Sequence, residues 1–125
     1  MQLMQQKRAA FALQSVKKAK EQIKFEAYKE SEYKSYAMHF PTFIHTNGLG
    51  QASAFFKAKG GAHELLYQLL SDWLTQENQP FANKEDLLTG ITESDMQAYR
   101  LAQAEAQALM DWVKKFAKAY MDEVD

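Results

Sequence analysis

The chain contains no cysteine. That excludes disulfide frameworks, thiolate-ligated zinc, iron–sulfur clusters and cysteine nucleophiles, and removes any argument for an oxidising compartment. Turn-forming residues are scarce as well: 2 prolines and 5 glycines among 125 residues, none of them in the first 40 positions. A β-sandwich or barrel would need more turns, so the composition is that of a helical protein. No stretch approaches the roughly 18 uninterrupted apolar residues of a membrane span. The opening MQLMQQKRAAFAL has no sustained apolar run followed by a small-residue cleavage site. The expectation is a cytoplasmic protein with neither membrane span nor signal peptide.

An excess of one charge is also missing, since 15 basic residues face 16 acidic ones for a net charge of -1. The balance hides an asymmetry. Residues 1–61 hold 10 Lys and Arg against 4 Glu, and residues 62–125 hold 5 against 12 Asp and Glu. Such a split suits a polyanion-facing side with a solvated acidic side, head-to-tail stacking of copies, or chance segregation of surface charge.

What is present is helical periodicity. With 46% hydrophobic and 25% charged residues, a chain of this length buries roughly two-thirds of its unfolded surface in one core. The spacing predicts a first helix over 2–30 with an alanine-rich stripe through Ala9, Ala12, Val16, Ala19, Ile23 and Ala27. Lys7, Phe11, Lys18, Phe25 and Lys29 fall on its other side. Ser31 is the expected cap of a second helix that ends at Gly48, with a kink or break near Met38–His39 because Pro41 lacks a donor and crowds the preceding turn. A third helix from Leu49 stops at Gly60-Gly61, and a fourth over 62–76 carries Leu65, Leu66, Leu69, Leu70 and Trp73. Asn83 and Asp86 open a helical turn through Leu88 that stops at Gly90. Thr92 with Asp95 forms a capping pattern for a last helix over 93–122. The expected fold is all-α: a single-domain antiparallel helical bundle of five or six helices, with long first and last helices, spanning residues 1–125.

Catalytic chemistry has little to build on. His39, His45 and His63 show no metal-ligand spacing, no serine triad stands out, and no metal, cofactor or small-molecule substrate is expected. The glycines of Asn47-Gly48-Leu49-Gly50-Gln51 suggest an anion loop, yet they lack the Gly-Lys-Ser/Thr ending and the preceding strand, which favours a helix connection. The first helix is more suggestive. Its Lys7, Arg8, Lys17, Lys18, Lys20, Lys24 and Lys29 can neutralise phosphates without reading bases. Lys17, Lys18 and Lys24 are the first candidates for RNA binding, followed by Lys7, Arg8, Lys57 and Lys59. Phe11 and Phe25 are candidate partner-interface residues, with inward packing as the alternative.

Several segments together resemble the small α-helical subunit of type III-B CRISPR effector complexes, the Cmr complexes. They are Gln6 to Ala9, Tyr36 with Phe40-Pro41 and Ile44, the Asn47 to Ala52 run followed by Phe55, and Tyr99-Arg100 through Glu105-Ala106, Leu109, Trp112 and Lys114-Lys115-Phe116-Ala117. The resemblance covers most of the chain. It implies a noncatalytic subunit that stacks in several copies beside guide-bearing subunits and helps to hold guide or target RNA, the target strand above all. The partners implied are the other effector subunits, further copies of the chain, and RNA; neither a membrane nor an enzyme activity is implied. Lys114 and Lys115 also complement a helix C-terminus, and Arg100 with Glu105 is expected to join the last helix to its neighbours. A stand-alone protein–protein adaptor without RNA binding, or the small subunit of another CRISPR subtype, are the competing readings.

Overall fold

The alanine stripe of the first helix packs against a second alanine stripe on the last. The structure, a computed structural model, describes residues 2–122. Six helices follow in order: α1 (Met4–Glu26), α2 (Glu30–Asn47), α3 (Leu49–Lys59), α4 (Gly61–Leu74), α5 (Leu87–Glu93) and α6 (Met96–Tyr120). Among the described residues there is no strand, and no helix is long and apolar enough to cross a membrane. Ala12, Val16, Ala19 and Ile23 of α1 and Ala102, Ala106, Leu109, Val113 and Ala117 of α6 are buried. Small side chains on both faces let two helices of more than 20 residues approach closely along their length.

Consecutive long helices alternate in direction. Phe56 stacks on Phe40 with ring centroids 3.9 Å apart, so α3 returns along α2, and Phe11 meets Trp73 at 4.9 Å, so α4 runs back along α1. The path is therefore up, down, up, down, then up again, which makes α1 and α6 parallel. Arg8 reaches Glu105 near one end, and Lys20 Nζ donates to the Tyr120 carbonyl at 2.8 Å near the other. Between them α2 is antiparallel to α6, with Gln107 Nε2 donating to the Pro41 carbonyl at 3.1 Å.

Pro41 does not break α2, which is continuous over Glu30–Asn47. Only one internal hydrogen bond is forfeited, and Phe40 and Ile44, both fully buried on either side of it, hold the helix against the core. Ser31 is not the cap; α2 begins at Glu30 after Lys29. Gly48 does end it, at φ 85°, a conformation that favours glycine.

Gly90 is a second departure from expectation, since it lies inside α5 rather than stopping a helix. Its role is close approach: a Cβ there would stand 2.5 Å from Cγ of Phe81, which is itself fully buried. Asp86 caps this helix by accepting from Thr89 N–H at 2.8 Å. Asp95 caps α6 by accepting from Ala98 N–H at 2.9 Å, while Thr92 belongs to α5 and donates to the Thr89 carbonyl.

Candidate nucleic-acid interface

The cations of the basic half divide by what they touch. Arg8 is held by Glu105 through the Nε–Nη2 edge of its guanidinium, with Nη2 donating to Oε1 at 2.9 Å, and this pair keeps the Arg8 pKa raised. Lys20 and Lys34 donate to the carbonyls of Tyr120 and Met121, satisfying orphan acceptors at the negative end of the α6 dipole. Lys57 pairs with Glu64 at 3.1 Å, and that carboxylate raises the lysine pKa. Much of the local positive excess therefore serves the fold.

Lys7, Lys17, Lys18, Lys24 and Lys59 are exposed. They do not form one cluster. Lys17 leans toward α6, its Nζ 5.6 Å from the Tyr120 ring centroid, and Lys24, seven positions on, shares that side of α1. Lys18 borders a groove between α1 and α4 with Phe11, Gln22, Gln68 and Asp72. Partial enclosure raises the Asp72 pKa, and Lys18 pulls it the other way. Lys7 lines the neighbouring depression that continues past Phe11 and Trp73. Lys59 is the last residue of α3, in a depression it shares with Glu32 of α2 and Tyr28 from the α1–α2 turn.

The two phenylalanines proposed for a partner interface separate. Phe11 packs half-buried against Trp73, following the inward alternative. Phe25 is 89% exposed near the end of α1. Arg100 does not reach Glu105; it is exposed on α6 beside Met96, Gln97 and Leu101. Glu105 takes Arg8 instead, and also Trp73 Nε1 at 2.9 Å.

The glycine-rich turn is structural. Leu49 N–H donates to Gln103 Oε1 at 2.9 Å and Gly50 N–H to Tyr99 Oη at 3.0 Å. Side chains of α6 thus occupy donors that an anion at the start of α3 would need. Among the described residues no His, Asp and Glu cluster could hold a metal.

One feature was invisible in the sequence. Tyr36, Phe43, Phe55, Phe56 and His63 converge from α2, α3 and α4 on an apolar groove. His63 stacks on Tyr36 at 3.6 Å and stands edge-on to Phe56 at 4.9 Å. Burial, with Lys59 nearby, holds its pKa below the usual 6.5. No single helical period connects these rings, because they come from three different helices.

The family model described as CRISPR-associated protein (Cas_Cmr5) matches residues 4–120. This chain belongs to the Cmr5 family. The CRISPR system Cmr subunit Cmr5 of Thermus thermophilus is 28% identical over 114 residues, covering 90% of this chain and 94% of that protein. The match to the Cmr5 family takes in all six helices, so the Arg8–Glu105 tie and the Tyr99 and Gln103 contacts to the α2–α3 turn lie within it.

Proposed function

We propose that this Cmr5-family chain is the noncatalytic small subunit of a type III-B CRISPR ribonucleoprotein, acting in the cytoplasm in antiviral defence. The observation that carries the reading is the family match over residues 4–120. Several copies stack beside the guide-bearing subunits and help to hold the target strand. Base pairing with the guide supplies sequence readout, so this subunit needs only backbone electrostatics and shape. Lys17, Lys18 and Lys24 supply most of that attraction, with Lys7 and Lys59 extending it. Arg8 and Lys57 contribute less, because each is already paired with a carboxylate. The exposed Phe25 meets a protein partner, either another effector subunit or a second copy.

The test is purification of the tagged chain from its native cell with sequencing of bound RNA and mass spectrometry of bound proteins. Recovery of repeat-derived guide RNA and other effector subunits is the expected result. Unrelated proteins without RNA would replace this reading with a stand-alone adaptor docked through Phe25. Stacking has its own check: if opposite charged halves join neighbouring copies, their association weakens in high salt, and an interface indifferent to salt rejects that arrangement.

A further inference from the structure

The open groove between α2, α3 and the start of α4 has a volume of about 310 Å³, enough for one planar ring system. Its walls are aromatic. Phe43 and Phe55 lie 5.1 Å apart at an interplanar angle of 59°, and Phe55 keeps 43% of its surface exposed. Its rim is polar without being acidic: His39, Thr42, Thr46 and Asn47 line it, and no carboxylate does. The nearest acid on α2, Glu32, accepts from Tyr36 Oη at 3.2 Å and lines the adjoining depression with Lys59, outside the groove itself. Lys59 Nζ stands 5.4 Å from the Phe55 ring centroid.

We infer that this groove takes a single unstacked base of a single-stranded RNA, with Phe55 as the stacking surface and Lys59 against the adjoining phosphate. An apolar side chain from a protein would use the rings but would gain nothing from the cation and would cover the Thr42 and Thr46 hydroxyls without pairing them. A nucleobase has a π face for the rings, a polar edge for the hydroxyls and His39, and a phosphate for the lysine. The inference rests on the RNA-holding reading above. It concerns a locus separate from the lysines of α1, so the two fail separately.

The experiment compares two probes of equal length and charge on the full chain, a short oligouridylate and its abasic ribose-phosphate counterpart, followed by NMR and by binding titration. Oligouridylate should shift the Phe55, Thr42 and His39 signals, whereas the abasic chain should leave them in place. Phe55→Ala should weaken oligouridylate binding roughly five- to a hundredfold, the range of one lost base stack, and Phe55→Tyr should restore it. Lys59→Gln, at an exposed position, should weaken binding without disturbing the aromatic packing. Equal groove shifts with both probes, or a neutral Phe55→Ala in a protein that melts normally, would overturn the inference and leave the groove to an apolar protein partner. If neither probe binds, this inference falls, and the RNA-holding reading is decided separately by RNA binding of the assembled complex. If both bind equally and only the Lys17, Lys18 and Lys24 variant loses them, that reading stands alone.

Discussion

Glu105 grips the Arg8 guanidinium with both of its oxygens, joining residues 97 positions apart. The same carboxylate accepts from Trp73 Nε1 at 2.9 Å, so a single acid connects α1, α4 and α6. Its side chain is 14% exposed and that of Arg8 17%. This enclosure separates it from ordinary surface ion pairs, which solvent screens almost to nothing. This directional contact ties the parallel helices α1 and α6 near one end, as Lys20 and the Tyr120 carbonyl do near the other.

Glu105→Ala should therefore destabilise the protein by about 2 to 3 kcal/mol, because it strands a partly buried guanidinium and an indole N–H together. Thermal melting or urea titration measures this. Arg8→Ala should cost less, since Glu105 keeps Trp73, and the double variant should fall short of the sum of the two. Additive effects would show that the contact does not act as a unit.

Gly90→Ala pits two effects against each other. Removing a helix-interior glycine is worth about 1 kcal/mol in favour of the variant, but the new Cβ would lie 2.5 Å from Phe81 Cγ. The ring is fully buried and has nowhere to move, so overpacking should win, with a net loss of about 1 to 3 kcal/mol. A stabilised variant in the same melting assay would mean that Phe81 is free to shift.

Phe11 and Phe25 should respond in opposite ways. Phe25→Ser should change the melting free energy by less than about 0.5 kcal/mol, as expected for an exposed site, while lowering recovery of partner proteins. Phe11→Ala removes the contact with Trp73 and should cost about 1 to 3 kcal/mol. Comparing melts with co-purification yields separates the two roles.

Changing Lys17, Lys18 and Lys24 together to Glu should weaken RNA association by the assembled complex while leaving helicity and melting nearly unchanged. For phosphate contacts the dependence of log affinity on log salt should flatten by about 2, as three cations leave a single-stranded site. An unaltered salt slope would exclude these three positions.

Two groups stabilise the fold in their less protonated forms and so contribute stability that is lost on acidification, while the raised pKa of Asp72 acts in the opposite sense. His63 holds its pKa below the usual 6.5 because burial and Lys59 oppose its protonation. The unfolded chain then binds that proton more readily, so stability should fall as pH drops through 6.5 and level off below the folded value. Asp86 has its pKa lowered beneath 3.8 by the hydrogen bond from the Thr89 backbone. Its stabilising contribution is complete above 3.8 and disappears as pH falls through the lowered value. His63→Asn should remove the first slope and leave the second, as urea midpoints across pH would reveal.

Much of the fold was legible because helical periodicity is a local property. The stripes of α1, α4 and α6, the stop at Gly48 and the turn at Gly60-Gly61 follow from residues a few positions apart. Pro41 and Gly90 misled for a common reason: each is a helix breaker only in isolation. Burial of Phe40 and Ile44 outweighs one missing hydrogen bond, and the Phe81 ring fills the space that the absent Cβ leaves. Thr92 and Ser31 gave way to Asp95 and Lys29 at the cap positions, shifts of three and two residues that local sequence resolves poorly.

By itself the sequence determined the helical class, the alanine faces and the charge asymmetry between the halves. Composition and spacing are enough for those, and the run of matching segments was enough to suggest the family. Which of the candidate cations pair with a carboxylate was decided by tertiary structure alone. Arg8 and Lys57 look no different from Lys18 or Lys59 along the chain, and only folding brings a carboxylate within ion-pair distance of the first two. The same holds for the pairing of Glu105 with Arg8 rather than Arg100, and for the aromatic groove, whose rings come from three helices. Charge pairing and cavity formation depend on distance in space, and helical spacing fixes that distance only within a single helix.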